Sequence, residues 1–239
     1  MVFSLTRSSF QLTPKLRSDL ERYGFCVCGS LAPELRTIDI ANNLGTVIGL
    51  EQLFPRSAQI STAQSLTPKE TSEVTGNQYS GHYGLGSFPL HSDLAHWAIP
   101  PRFFLLRCIV GTSDVFTQVL PWTPIQESLG DQVLRRALFC SRKPRIGSSG
   151  LVRAMARVGD DDILRWDPIF IKPLNREARA LSECLLSSEW ELNASQILLG
   201  RPGDTLIVDN WRVLHGRGKV VGNSIKRRVE RVYLSEVYR

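Results

Sequence analysis

Residues 203–217 read Gly203-Asp204-Thr205-Leu206-Ile207-Val208-Asp209-Asn210-Trp211-Arg212-Val213-Leu214-His215-Gly216-Arg217. A tight turn is followed by an apolar strand and then by a histidine beside a glycine. Downstream, Arg227-Arg228-Val229-Glu230-Arg231-Val232-Tyr233-Leu234 is strand-like. Strand geometry sets Arg227, Val229 and Arg231 on one face and Arg228 and Glu230 on the other. Upstream, Arg102–Val110 and Asp114–Leu120 read as further strands, and Leu151–Val158 with Asp162–Trp166 as a hairpin around Gly159-Asp160-Asp161. Helices are expected at 14–23, between Thr13-Pro14 and a Gly24 stop, at 33–50, from Thr123-Pro124 to about Phe139, and at 175–190. Strands in the middle and at the end, with helices at the start and in two crossings, indicate helices packed on a β-sandwich or barrel rather than a βαβ alternation.

The composition bounds the class. The chain has 239 residues with 42% hydrophobic and 22% charged residues, a mean hydropathy of −0.10 and a formal charge of +6. This is a globular profile, neither disordered nor fibrous. No apolar run is long enough for a membrane span, since Arg107 interrupts the best one, and Met1–Leu16 lacks the apolar core of a secretory signal. No repeat or linker marks a boundary, so residues 1–239 read as a single domain. The basic excess, concentrated in 212–231, suits an anionic partner of any size. Five cysteines without framework spacing suggest reduced thiols and a cytoplasmic setting. Cys26 and Cys28 are expected on one face of a short strand, Phe25–Cys28, as buried small apolar residues.

Only four histidines exist: His82, His91, His96 and His215. In His91-Ser92-Asp93 an imidazole and a carboxylate stand two apart, on one side of an extended segment. Alone, such a pair arises often by chance. With one remote histidine it makes the 2-His-1-carboxylate triad of non-heme Fe(II) centres, which leaves coordination positions open. An arginine on a nearby strand can hold the far carboxylate of a dicarboxylate co-substrate, its planar fork pairing with both oxygens.

Taken together, Phe88-Pro89-Leu90-His91-Ser92-Asp93-Leu94, Pro100-Pro101, Asp209–Arg217 and the arginines at 227 and 231 resemble the Fe(II)/2-oxoglutarate-dependent dioxygenases of the taurine dioxygenase and γ-butyrobetaine hydroxylase type. The matching blocks run over about 81–111 and 203–234. The resemblance implies a mainly β fold with flanking α-helices, a double-stranded β-helix or jelly roll. It implies Fe(II) held by His91, Asp93 and His215, 2-oxoglutarate chelating the metal and meeting Arg227, and O2 at the remaining position. Arg231 resembles a position used by some members for an anionic substrate group; a structural salt bridge is the alternative. Oxidation of a small polar or amino-acid-like metabolite, most simply by hydroxylation, with release of succinate and CO2, is the implied reaction. A carboxylate at 93 leaves no coordination site for chloride, which disfavours halogenation.

The chain departs from the family in two places. Members often carry Gly-Gly-acid-Thr after the Pro-Pro strand, with the Thr on 2-oxoglutarate. Here the segment is Gly111-Thr112-Ser113-Asp114-Val115-Phe116-Thr117-Gln118. If the glycines align, Asp114 falls at the Thr position, where an acid would repel the co-substrate. Thr117 or Gln118 serves if the register shifts, and Thr117 is the candidate. The chain is also short, so the usual lid insertions are trimmed, and 57–83 is the expected substrate-covering loop, with Asn77, Tyr79 and His82 as candidates. His96 reads as a packed histidine or a substrate neighbour, the five tryptophans as core, and Arg217 as a carboxylate holder or a brace. Two other readings remain: a macromolecular substrate, which no nucleic-acid motif supports, and a degenerate binding module. Sequence alone is silent on the oligomeric state.

Overall fold

A computed structural model describes residues 11–49, 61–74, 76, 78–142 and 150–238. In chain order the first part holds α1 (Pro14–Tyr23), β1 (Phe25–Cys28), α2 (Thr37–Leu44), β2 (Gly45–Val47), β3 (Gln64–Leu66), α3 (Tyr79–Tyr83) and β4 (Phe88–His91). The middle holds β5 (Phe103–Val110), β6 (Phe116–Pro121), α4 (Thr123–Leu129), α5 (Asp131–Arg136), β7 (Leu138–Ser141), β8 (Leu151–Arg153), β9 (Met155–Val158), β10 (Asp161–Leu164) and β11 (Ile171–Pro173). The last part holds α6 (Arg176–Leu185), α7 (Ser188–Asn193), β12 (Ser195–Leu198), β13 (Thr205–Asp209), β14 (Val213–Arg217) and β15 (Arg228–Val237).

All strand pairs among the described residues are antiparallel. The larger sheet runs β1-β13-β5-β15-β2, with β3 also on β15, and the smaller runs β12-β6-β14-β4. Alternation along the strands sorts side chains into layers. Phe104, Leu106 and Cys108 of β5, Leu206 and Val208 of β13 and Val229 and Tyr233 of β15 pack with Val119 of β6 and Val213 of β14, filling the space between the sheets. Leu105 and Ile207 point the other way, onto Leu20 of α1 and Ile40 and Leu44 of α2. Leu90, Leu120 and Leu214 leave the far face of the smaller sheet and join Trp122, Phe139, Trp166, Leu181 and Trp190 in a second core. Both sheets are therefore covered on two faces, which explains the near-continuous apolar runs of β5 and β13. The architecture is mainly antiparallel β with several flanking helices, and no helix among the described residues is long and apolar enough to cross a membrane.

Helix α1 starts and stops as its flanks dictate. The Thr13 hydroxyl accepts the Leu16 amide, Pro14 fills the first turn, and Gly24 closes the helix at φ 78°. Other helices are shorter than the periodicity suggests. The 33–50 helix is confined to α2, because Gly45 is extended and starts β2 against Val237 of β15, so close that a Cβ would lie 2.2 Å from the Glu236 carbonyl oxygen. The helix from Thr123 breaks at Gly130, φ 79°, into α4 and α5, and Leu138 starts a strand. The 175–190 helix ends at Leu185 and restarts under a Ser187 cap. The 151–158 strand divides at Ala154, its first half pairing with β7 and its second with β10 across a Gly159-Asp160 turn. Among the strands not anticipated, β2, β7, β11 and β12 have three or four residues each. So short a run leaves almost no periodic trace.

Candidate metal centre

Strands β4 and β14 lie side by side with His91 opposite His215. The register then slips: Arg217 faces Phe88, so β4 carries one residue more than β14 over this stretch. Pro89, which has no amide hydrogen to donate, sits in that bulge. Gly216 makes the close approach feasible, because a Cβ there would lie 2.6 Å from the Phe88 carbonyl oxygen. Asp93, just past β4, is fixed through its backbone. Its amide donates to Asn210 Oδ1 at 2.8 Å, and Asn210 Nδ2 donates to the Asp93 carbonyl at 3.0 Å. Asn210 lies in the β13–β14 turn, so the two distant stretches of sequence are tied directly together. Arg165, buried, donates to the carbonyls of Ala95, Trp97 and Ala98 and holds the chain that leaves Asp93.

His91, Asp93 and His215 are all buried, and one potential ligand atom from each lies within 4.8 Å of the others. Asp93 Oδ1 is 3.9 Å from His91 Nε2 and 3.8 Å from His215 Nε2. Donors bound at roughly 2.0–2.2 Å to one ion sit about 3 Å apart when adjacent, so a small contraction closes this set on a metal. His91 Nδ1 lies 2.8 Å from the Pro89 carbonyl and donates its hydrogen there, which leaves the Nε2 lone pair toward the shared space. Burial lowers both histidines, His215 to about 3 with further help from His91. Burial alone would raise Asp93. The Arg231 guanidinium, the two histidines and the Tyr233 hydroxyl outweigh it and keep the carboxyl below its ordinary range. Neutral imidazoles beside a charged carboxylate are the protonation states a cation needs. The residues therefore fit a divalent metal.

Asp93 Oδ2 is otherwise engaged, receiving Arg231 Nη1 at 2.7 Å and the Tyr233 hydroxyl at 3.1 Å. Arg231 also donates from Nη2 and Nε to Gln64 Oε1. Thus the ion pair is present, and three of the five guanidinium hydrogens are placed.

Arg227 is buried, and Nη2 is 3.4 Å from Thr117 Oγ1. Among the described residues its Nε has no partner and no carboxylate pairs with the guanidinium, and burial pushes its pKa down. Asp114 does not intrude there: it is exposed and accepts the Ser224 hydroxyl. Arg217 is a brace, donating to the carbonyls of Gly84 and Gly86 over the Phe88 ring.

The Tyr79 ring stacks on His91 with centroids 3.9 Å apart. Its hydroxyl is buried beside Asp167 without a well-directed hydrogen bond. Asn77 lies outside the described residues. His82 is exposed and bonded to the Gly76 carbonyl, away from the triad. His96 is buried against Trp97, whose indole donates to it, and against Phe170. Four tryptophans are buried core, and Trp97 is half-buried.

Sequence reasoning missed Gln64, Asp167, Asn210 and Tyr233. Asn210 stood inside the quoted motif, and Tyr233 falls two residues after Arg231 on the same strand face, so both had a signal. Asp167 had none. Its carboxyl is buried, accepts the amides of Ile169 and Phe170 at 2.7 Å, and is raised by burial to about 7. A wide surface cleft near α1, lined by Leu12, Arg102, Asp209 and Tyr238 among others, contains none of the triad.

No protein-family model matches the chain, and no curated protein sequence does. Solved structures do. An asparagine oxygenase in complex with Fe(II), 3-hydroxyasparagine and succinate aligns with a TM-score of 0.68 at 18% identity, over 92% of this chain and 77% of that one. The non-heme iron oxygenase OrfP with Fe, succinate and (3S)-hydroxy-L-arginine aligns with a TM-score of 0.65 at 19% identity, over 90% and 76%. OrfP with Fe and α-ketoglutaric acid aligns with a TM-score of 0.64 at 17%, over 93% and 78%. At such identities the likeness establishes architecture: this chain has the fold of these oxygenases.

Proposed function

We propose that the protein is a non-heme Fe(II)/2-oxoglutarate-dependent oxygenase that oxidises a small polar or amino-acid-like metabolite, most simply by hydroxylation. The observation that carries this reading is the buried triad of His91, Asp93 and His215, with neutral imidazoles and a charged carboxylate converging on one point. Bound Fe(II) would supply activation of O2, coupled to conversion of 2-oxoglutarate into succinate and CO2, with one oxygen atom delivered to the substrate. The chain's own residues bind and orient. His91, Asp93 and His215 hold the metal from one side. Arg227 holds the far carboxylate of 2-oxoglutarate with Thr117 beside it, and its unpartnered Nε supports this assignment.

Arg231 has two guanidinium hydrogens left after Asp93 and Gln64, enough for a substrate carboxylate. Tyr79, stacked over His91, stands on the substrate side. The hydroxylated amino acids held by the asparagine oxygenase and by OrfP support an amino-acid-like substrate. The two facing antiparallel sheets support a double-stranded β-helix, or jelly roll, forming one domain over 1–239. Five free thiols support a cytoplasmic setting.

The test is an anaerobic titration with Fe(II) and 2-oxoglutarate. The weak visible charge-transfer band of the metal–keto acid complex is expected, and His91→Ala is expected to abolish it. An intact protein that gives no band and releases no succinate in air refutes the proposal.

A further inference from the structure

A carboxylate ligand has two oxygens, and how many of them reach the metal decides how many coordination positions remain. At Asp93 the two have different surroundings. Oδ1 faces both imidazoles, while Oδ2 receives Arg231 at 2.7 Å and Tyr233 at 3.1 Å. These two donors differ in how firmly they are held. Arg231 retains 20% of its side-chain exposure and has unplaced hydrogens, so an anion entering the site competes for it. Tyr233 is 2% exposed, and its ring is packed between the sheets with Phe104, Cys108 and Val229. Asp93 Oδ2 is its one hydrogen-bond partner among the described residues. Apart from the Arg231 guanidinium, 4.9 Å over its ring, its surroundings are apolar, and a phenol without that acceptor would be an unsatisfied buried donor.

We propose that Tyr233 is a positioning residue that keeps Asp93 Oδ2 turned away from the metal, so that Asp93 binds through Oδ1 alone whether or not a substrate has engaged Arg231. This rests on the reading of Asp93 as a metal ligand. One-oxygen ligation matters because three protein donor atoms leave three positions on a six-coordinate ion, the two that a keto acid needs and one more. A second oxygen from Asp93 would take one of these. The side chain is held from the opposite sheet, through a strand that carries none of the three ligands, so its effect is separable from loss of a ligand.

The experiment uses the full chain loaded with Co(II), read by visible absorption, metal affinity and binding of 2-oxoglutarate without turnover. Tyr233→Phe keeps the ring and removes the donor. It is expected to change the Co(II) band intensity and to weaken Co(II) or 2-oxoglutarate binding about tenfold or more, the usual consequence of losing a partner behind a metal ligand. Val229→Ala, in the same core cluster, should lower the melting temperature and leave the band unchanged. Arg231→Met removes the shorter, charged bond to the same oxygen and should weaken Co(II) binding as well, but with Tyr233 intact the infrared splitting of the Asp93 carboxylate stretches should remain that of a ligand bound through one oxygen.

A folded Tyr233→Phe protein with wild-type band and affinities overturns the proposal. So does an Arg231→Met protein in which that splitting narrows to the value of a two-oxygen ligand, and this second arm decides the matter if Tyr233→Phe does not fold. If the unmodified protein takes up no Co(II), the reading of the triad itself has failed.

Discussion

Replacing Arg227 by Met separates a binding role from a structural one, because the two predict opposite signs for stability. The side chain is 4% exposed, with one long contact to Thr117 and an unpartnered Nε. A hydrogen bond to a charged group contributes about 1.5–3 kcal/mol. Losing a two-bond arginine–carboxylate pair therefore costs about 3–5 kcal/mol of affinity, or roughly two to three and a half powers of ten in Kd. Stability should move the other way. A buried, unpaired cation carries an effective desolvation cost of several kcal/mol. Against this stand the weak Thr117 contact and some packing, so a net gain of about 1–2 kcal/mol is expected. For a chain of this size that raises Tm by roughly 2–8 °C. Calorimetric titration of the Mn(II)-loaded protein with 2-oxoglutarate measures the first effect, and a thermal scan of the metal-free protein measures the second. Arg227→Lys should fall between, since an ammonium keeps the charge and loses the fork. A Tm lowered by several degrees with unchanged 2-oxoglutarate affinity would refute the reasoning and make Arg227 part of the scaffold.

Asp167 is raised by burial to about 7, against an unfolded value near 3.9. Between those values the folded state holds a proton that the unfolded state has released, so its contribution is complete below about pH 4 and is lost as pH rises through about 7. Asp167→Asn keeps the oxygen that accepts Ile169 and Phe170. Its Tm advantage over the parent should grow from pH 5 to pH 8, and a constant difference would count against a buried, proton-holding carboxyl. Tyr79→Phe should leave metal affinity within about twofold, because the hydroxyl has no well-directed bond, whereas Tyr79→Ala removes the ring stacked on His91 and should weaken Co(II) binding severalfold. Equal effects from the two variants would mean that the hydroxyl, not the stack, matters. Gly216→Ala drives a Cβ to within 2.6 Å of the Phe88 carbonyl. It should cost about 1–3 kcal/mol and reduce metal uptake, both visible in melts with and without Co(II), and an unchanged protein would argue against the tight β4–β14 approach.

The parts of the site visible in the sequence were those with a short-range signature. His91 and Asp93 are two apart on an extended segment, and His215 follows a strand that ends in a recognisable turn. Arg227 and Arg231 sit at strand spacing; Arg231 reaches Asp93 of the triad, and Arg227 lies just ahead of β15 beside Thr117. What could not be read was which groups meet across long separations. Arg231 bonds Asp93, and only the pairing of β15 with β3 brings Gln64 to it. The choice between Asp114 and Thr117 depends on strand register, which the sequence does not carry; in the structure Thr117 lies beside Arg227 and Asp114 accepts Ser224. Helix ends were misjudged where tertiary contact overrode periodicity, as at Gly45, whose neighbour is a carbonyl far along the chain.

Asn210 clasps the Asp93 backbone from a turn 117 residues later in the chain. The cage consequently cannot be assembled by local nucleation, and a cation has nothing to grip until both halves of the smaller sheet have closed. Loading should therefore be the last event of maturation, following a folded apoprotein. A chelator should strip the centre and leave a refillable vessel, unlike the small metal-dependent modules that unravel when theirs is removed.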